Sequence, residues 1–333
     1  MAKFGTVSTS LAALSMSVAM GLGGTAALAQ DVTTLKMNLV ISTADPVYAY
    51  WEDFAKMIED ESQGTLKIEV YPTETLGKTT DMIEAVARGA PILQDSDPGH
   101  YSSYVPDYSV FGAPYLFKKP SDIPTVWESD IGKRMEAELN EKGLRILTLV
   151  YFGTRNLMCT EPVHSREDTA NLRVRNAPTK MWNWVGDVLG GIRVNTAWSE
   201  VYTALSQGVA DCVESPMNVV YGMKFQELLD NYNMTEHLIA PTAITMSQQV
   251  YDSLPPVAQA ALDKVGHEYP AIREAQIREI EGEYRAKLEE AGVTVNDDVD
   301  KTAFIEFAAG VSEQFPEWTP NLYQDISAII EAN

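Results

Sequence analysis

Two arginines carry the chemistry that this sequence offers most plainly. Arg155 stands in Gly153-Thr154-Arg155-Asn156-Leu157, and Arg175 stands in Leu172-Arg173-Val174-Arg175-Asn176-Ala177-Pro178, twenty residues further on. A guanidinium is a planar fork that gives a carboxylate two parallel hydrogen bonds and keeps its charge when taken out of water. The chain as a whole has a formal net charge of −22, so its general field repels an anion. An anion site here must therefore be local, cationic and built in advance. The competing reading is that either arginine pairs with one of the 47 acidic residues at the surface, where such a pair adds little. The acidic balance also excludes nucleic acid as a partner, since a phosphate backbone demands a basic face. Its plain meaning is solubility.

Signatures of catalysis are missing. The four histidines, His100, His164, His237 and His267, are scattered, with no His-Glu-x-x-His run and no pair on one helical face. Neither a Gly-x-Ser-x-Gly elbow nor a phosphate-binding glycine loop occurs. Two cysteines are too few for a structural zinc site. No catalytic residue, cofactor or metal ligand is assigned. Cys159 lies four residues after Arg155, and Cys212 lies three before Ser215. They either pair in a disulfide or stand as two free thiols, and geometry decides between these.

The elements that must position the arginines read as alternating strands and helices. Strands are expected at 35–41, 66–70 and 144–151, and helices at 46–61, 79–87 and 123–142. Alternation of this kind means an α/β fold with helices on both faces of a sheet. Residues 94–117 are turn-rich and aromatic, and open α/β sheets bind ligands at loops beyond strand ends. Asp97, in Asp95-Ser96-Asp97-Pro98-Gly99, belongs to that wall. Further on, a helix is expected near 180–189, and another with Ser199 as its N-cap. Tyr202 holds the place where a capping box wants glutamate, so only the simple cap is available. Residues 239–250 return as extended structure. The stretch 255–290 is a long helix with a kink or break expected at Pro270. Shorter amphipathic pieces follow at 301–309 and 321–330.

The N-terminus reads as an export signal. Lys3 is followed by a small-residue apolar stretch at 11–22 and by Ala27-Leu28-Ala29, with cleavage expected near Ala29. The stretch is too short for a convincing membrane span, and no later segment approaches the roughly 18 apolar residues a span needs. No cysteine precedes Cys159 to carry a lipid anchor. A soluble, exported protein without direct membrane insertion is expected, of a length that suits two domains.

After the arginines come Ser199-Glu200-Val201-Tyr202-Thr203-Ala204-Leu205-Ser206-Gln207-Gly208-Val209-Ala210-Asp211 and then Glu214-Ser215-Pro216. In order and spacing this series resembles the solute-binding proteins of TRAP (tripartite ATP-independent periplasmic) transporters, of the DctP type. The resemblance covers nearly the whole chain beyond the signal. It implies a two-domain periplasmic binding protein fold with central mixed sheets, crossing hinge strands and a long kinked helix spanning both domains. After a signal peptide at 1–29, domain I would hold 30–152 plus 241–280, and domain II 153–240 plus 281–333. The implied function is capture of a small organic acid, a monocarboxylate or dicarboxylate, in an interdomain cleft. A periplasmic monomer would then deliver it to the subunits of an ion-gradient-driven membrane permease. Two alternatives are a periplasmic enzyme acting on organic acids and a binding protein that serves a sensor.

Carried over residue by residue, Arg175 resembles the arginine that clamps the ligand carboxylate, and Arg155 a second cationic contact near the hinge. Ser215 stands where most members have asparagine, and Cys212 where glycine is usual. A hydroxyl is shorter than an amide and lacks its separate donor and acceptor. Trp198 stands where members carry phenylalanine against the ligand, with a core aromatic as the alternative. Trp182 is either part of the ligand wall or a core residue of its helix. Asp97, where the sialic-acid branch has glutamate, accepts from ligand hydroxyls or is an ordinary turn aspartate. Ser42 and Asp45, after the first strand, are expected to cap the ligand from domain I.

Overall fold

The computed structural model describes residues 1–3, 5 and 32–333. The apolar stretch and the Ala27-Leu28-Ala29 cleavage motif lie outside the described residues. Strand β1 (Thr33–Asn38) is followed by helix α1 (Val47–Glu61), strand β2 (Leu66–Tyr71), helix α2 (Thr79–Ala87) and strand β3 (Ile92–Ser96). Helix α1 forms where an apolar stripe recurs at helical spacing, and Trp51, Phe54, Ala55 and Ile58 of that stripe are buried. Two 3-10 turns, Pro98–Ser103 and Pro106–Gly112, then take Tyr101, Tyr108 and Phe111 into the core. The single helix expected at 123–142 is two, α3 (Asp122–Trp127) and α4 (Asp130–Glu141). Ser129 explains the break, because its hydroxyl accepts from the Gly132 N–H and starts α4 afresh.

Strand β4 (Leu144–Cys159) runs well past the expected 144–151. Next come β5 (Arg173–Asn176), α5 (Lys180–Leu189), β6 (Ile192–Asn195), α6 (Val201–Ser206), β7 (Cys212–Ser215) and α7 (Met217–Gly222). Ser199 does not cap α6. A 3-10 turn at Trp198–Glu200 precedes the helix, the N-cap position falls on Glu200, and no side chain caps it. Strand β8 (Asn231–Ser247) is followed by α8 (Gln248–Ser253), α9 (Pro256–Glu290), β9 (Thr294–Asn296), α10 (Thr302–Ala308), α11 (Val311–Gln314) and α12 (Leu322–Glu331). Helix α9 continues through Pro270 for 35 residues without a break in its assignment. A proline there removes only the hydrogen bond to the carbonyl of Gly266. Gly266 is also where α9 meets the sheet most closely, since a Cβ there would lie 2.1 Å from the Leu147 carbonyl oxygen.

The strands form one mixed sheet in the order β2-β1-β3-β8-β4-β7-β5-β6, with β9 paired to β8. β1, β2 and β3 pair in parallel, as do β5, β6 and β7, while β4 and β8 are antiparallel to each other. These two long strands are the crossing elements, because both ends of the sheet hang from them. Their ladder shifts register between Tyr151 and Gly153, opposite Pro241 and Ala240. Gly153 adopts φ of 140°, and a Cβ on it would meet the Pro216 ring at 2.8 Å. Only glycine sits there without strain. Cys159 and Cys212 face each other across the β4–β7 pair and form a disulfide with their Cα atoms 4.1 Å apart. No described helix is long and apolar enough to cross a membrane.

Candidate ligand-binding site

A cavity of about 380 Å³ opens where the C-terminal ends of β3 and β5 and the middle of β4 meet the Trp198–Glu200 turn. Residues from both ends of the sheet line it, including Val40, Glu74 and Asp97 from one and Arg155, Arg175 and Trp198 from the other. Volumes of this order suit small organic ligands.

Arg175 is 3% exposed on β5, and its Nη2 and Nε donate to the Thr196 carbonyl at 2.6 and 3.2 Å. Its guanidinium carbon lies 5.3 Å from the centre of the Trp198 ring. Burial pulls its pKa down to about 10, offset in part by Glu214 and reinforced by the like charge of Arg155. It therefore stays charged at neutral pH. Arg155, on β4, has a different situation. Its Nε and Nη2 grip both carboxylate oxygens of Glu214, the latter at 2.8 Å, and Nη2 also donates to the Glu214 carbonyl at 2.9 Å. Glu214 is fully buried. Burial raises its pKa, but Arg155 and His237 outweigh that and hold it below the ordinary carboxylate range. Burial pulls the pKa of His237 itself down, against the upward pull of Glu214 beside it.

Trp182 places its ring 4.7 Å from the Arg155 guanidinium and donates from Nε1 to Asp97 at 2.9 Å. Asp97 also accepts from the Gly99 N–H, at 2.8 Å, and lies 2.7 Å from Nδ1 of His100. Burial opposes both charges of that pair. Even so, each partner's charge prevails, holding Asp97 down and His100 up. Trp198 donates from Nε1 to the Val40 carbonyl at 2.8 Å. Glu74 accepts from the Thr79 N–H and hydroxyl at 2.8 and 2.7 Å, and from the Ser199 N–H at 3.0 Å. Lys78 and Glu200 pair at the rim at 2.5 Å. Among the described residues no cluster fit to hold a metal ion is found.

Five of the residues expected from sequence line this cavity: Arg155, Arg175, Trp182, Trp198 and Asp97. Three do not. Ser42 donates its hydroxyl to the Gly222 carbonyl at 2.7 Å, which ties the loop after β1 to α7. Asp45 is drawn the same way, accepting from Asn218 and from the Val47 N–H. Ser215 ends β7 fully buried behind the cavity wall, where its carbonyl accepts from the Tyr232 hydroxyl at 2.8 Å. Glu214, Glu74 and His100 are the site residues that sequence reasoning passed over. Glu214 was within reach, because it adjoins Ser215 and strand alternation sends neighbours to opposite faces.

A family model, bacterial extracellular solute-binding protein family 7, matches residues 37–317. The chain belongs to this family. Among family 7 relatives, a solute-binding protein of Verminephrobacter eiseniae is 28% identical over 290 residues, 87% of each chain. The 2,3-diketo-L-gulonate-binding periplasmic protein of Escherichia coli is 26% identical over 294 residues, 87% of this chain and 90% of that one. Among solved structures, a TRAP periplasmic solute-binding protein from Actinobacillus succinogenes with bound L-galactonate superposes with a TM-score of 0.87. It is 29% identical, and the match covers 90% of this chain and all of that one. The family 7 fold is therefore shared over nearly every described element. Family 7 proteins are binding proteins and not enzymes, which sets the alternative of a periplasmic enzyme aside.

Buried acids next to the site make its stability depend on pH. Burial pushes Asp45 and Asp95 up to about 6, although hydrogen bonds from Val47 and Asn218 to the first, and from Thr242 and Val40 to the second, act the other way. An acid whose pKa rises on folding favours the folded state only while protonated, so stability falls as pH rises from about 4 to 6. His100, held up by Asp97, adds stability that is lost as pH rises through its folded value. His237, held down by burial, acts in the opposite direction. The ligand-free protein is expected to melt at a higher temperature at pH 5 than at pH 8. A melting temperature that climbs over that interval would contradict these assignments.

Proposed function

We propose that this protein captures a small organic acid by its carboxylate in the cavity between β3, β4 and β5, and delivers it to the membrane subunits of a TRAP permease. Arg175 carries the proposal. It is a buried cation at the cavity wall, with its fork spent only on one backbone carbonyl. Arg155 lends its remaining Nη1 edge, while Trp182 and Trp198 flank the ligand and Asp97 stands opposite. Ser42 and Ser215 act through the frame and not on the ligand. The relatives with bound L-galactonate and L-fuconate, and the one named for 2,3-diketo-L-gulonate, support an acid ligand.

The chain divides into a half with 30–152 and 241–280 and a half with 153–240 and 281–333. The register shift of β4 and β8 at 151–153 supports a hinge at that division. Ligand entry favours the closed arrangement only by the contacts it gains there, such as those with Arg175 from one half and Asp97 from the other. The protein works as a periplasmic monomer, after cleavage near Ala29. A thermal-shift screen against organic acids tests the reading. An acid at about 100 times its Kd adds about 2.7 kcal/mol to folding stability. Matching neutral alcohols and amides should give no shift. Equal shifts from acids and neutral analogues would contradict the carboxylate assignment.

A further inference from the structure

In the turn between β2 and α2, two successive residues, Thr73 and Glu74, take left-handed backbone angles, with φ of 50° and 53°. Neither is glycine, so the turn carries strain. It is held by N–H bonds from Thr73 to the Ile41 carbonyl and from Glu74 to the Leu39 carbonyl, at 2.9 and 2.8 Å. Placed in this way, Glu74 is only 8% exposed, and its carboxylate meets the starts of two helical segments. Oε1 accepts from the N–H and hydroxyl of Thr79, the first residue of α2, and Oε2 accepts from the N–H of Ser199 in the Trp198–Glu200 turn. Neither segment has a side-chain cap at its own N-cap position, Lys78 or Ala197, so one carboxylate serves both. Helix α2 joins β2 to β3 at one end of the sheet, whereas the Trp198–Glu200 turn follows β6 at the other. We infer that Glu74 is a latch across the cavity, a positioning residue that holds the two ends of the sheet together over a bound acid and sets how long it stays.

The turn that Glu74 grips also carries the partners of Arg175. The Thr196 carbonyl accepts from that guanidinium, and the Trp198 ring lies 5.3 Å from it. A hydrogen bond to a buried carboxylate is stronger than one between neutral groups. Two other bonds cross at the same place. The Lys78–Glu200 pair is about half exposed on both sides and adds little, and the Trp198 bond to the Val40 carbonyl is neutral. The latch forms only with the two ends together, so it is broken when the acid leaves and not needed when it arrives. Its effect falls on the dissociation rate. As a bare charge, Glu74 acts the other way, since a negative group at the cavity wall opposes an anion. The sign of the change on neutralising it separates latch from charge.

The inference rests on the carboxylate reading above, and its test separates the two. Lactate, succinate, L-galactonate and D-glucuronate are titrated into the whole protein near neutral pH by calorimetry. Association and dissociation rates are read from the fluorescence of Trp182 and Trp198, which line the cavity. In Glu74→Gln a single carbonyl oxygen is left for two turns, and the amide donor faces an N–H. For the acid bound best, dissociation should speed up about tenfold while association stays within about twofold. Glu74→Gly takes the left-handed turn freely, which offsets the lost cap of α2. Its ligand-free melting temperature should hold while dissociation speeds up in the same way. Glu200→Gln, which breaks only the exposed pair, should change dissociation by less than about twofold. Equal or tighter binding in Glu74→Gln, with dissociation unchanged, would overturn the latch and leave the carboxylate reading standing. A ligand-free melting temperature that falls in both Glu74 variants, with association and dissociation rates unmoved, would make Glu74 a residue of the fold and overturn it as well. No binding of any of the four acids by the wild type would sink the carboxylate reading, and the latch with it.

Discussion

Arg175→Ala is expected to lose about 2–5 kcal/mol of ligand binding, about 30- to several-thousand-fold, because the ligand carboxylate is left buried without its charged partner. Arg175→Lys should also bind poorly. An ammonium keeps the charge, but it lacks the planar fork that engages both carboxylate oxygens. The ligand-free fold should barely notice either change. Arg175 forms hydrogen bonds to Thr196 alone, and its burial costs solvation that the alanine variant no longer loses. Calorimetry and ligand-free melting curves on the same samples separate the two effects. Arg175→Ala that binds within about threefold of the wild type would end the clamp assignment. A large drop in the ligand-free melting temperature would make Arg175 a structural residue instead.

Removal of the disulfide should act in the opposite way, on the fold and not on the ligand. Cys159 and Cys212 are 53 residues apart in sequence, and closing a loop of that length in the unfolded chain is worth about 4 kcal/mol in the chain-entropy treatment. The Cys159→Ser, Cys212→Ser double variant should therefore unfold at markedly lower denaturant concentration. The bridge lies four residues beyond Arg155 and two before Glu214, on paired strands whose register brings those side chains together. That register also rests on the strand ladder and on the ion pair. Ligand affinity should thus persist at temperatures where the variant stays folded. Alkylation of the native, unreduced protein should label neither cysteine. Full labelling of both would show that the bridge is absent.

The elements legible in the sequence were those with a strong local signal. The 3.6-residue stripe of α1, the helix expected near 180–189 and the alternation of β2 all emerge within a residue or two of expectation. Local signals failed where tertiary pairing decides. β4 extends to Cys159 because β8 and β7 supply its partners, information that lies more than fifty residues away. Ser199 has the side chain of a cap, but the turn at Trp198–Glu200 begins the helical winding before it. At the site, Arg155 and Arg175 were both legible from type and spacing, with Arg175 expected as the clamp and Arg155 as a second contact near the hinge, but the partner of Arg155 was not. Only the register of β4 against β7 shows one of them spent on Glu214 and the other open to the cavity. Ser215 was expected at the site because it stands where the family has asparagine, and Ser42 because it follows the first strand, yet a step of one along a strand or loop is enough to turn a side chain away.

The most direct test of the central claim is a crystal structure of the protein with the acid that stabilises it most. The account predicts a carboxylate with both oxygens about 2.7–3.0 Å from the Arg175 guanidinium nitrogens, between the rings of Trp182 and Trp198. It also predicts that the Arg155–Glu214 pair remains intact. A ligand whose carboxylate points into solvent, or contacts Arg155 while Arg175 still bonds only to Thr196, would contradict it.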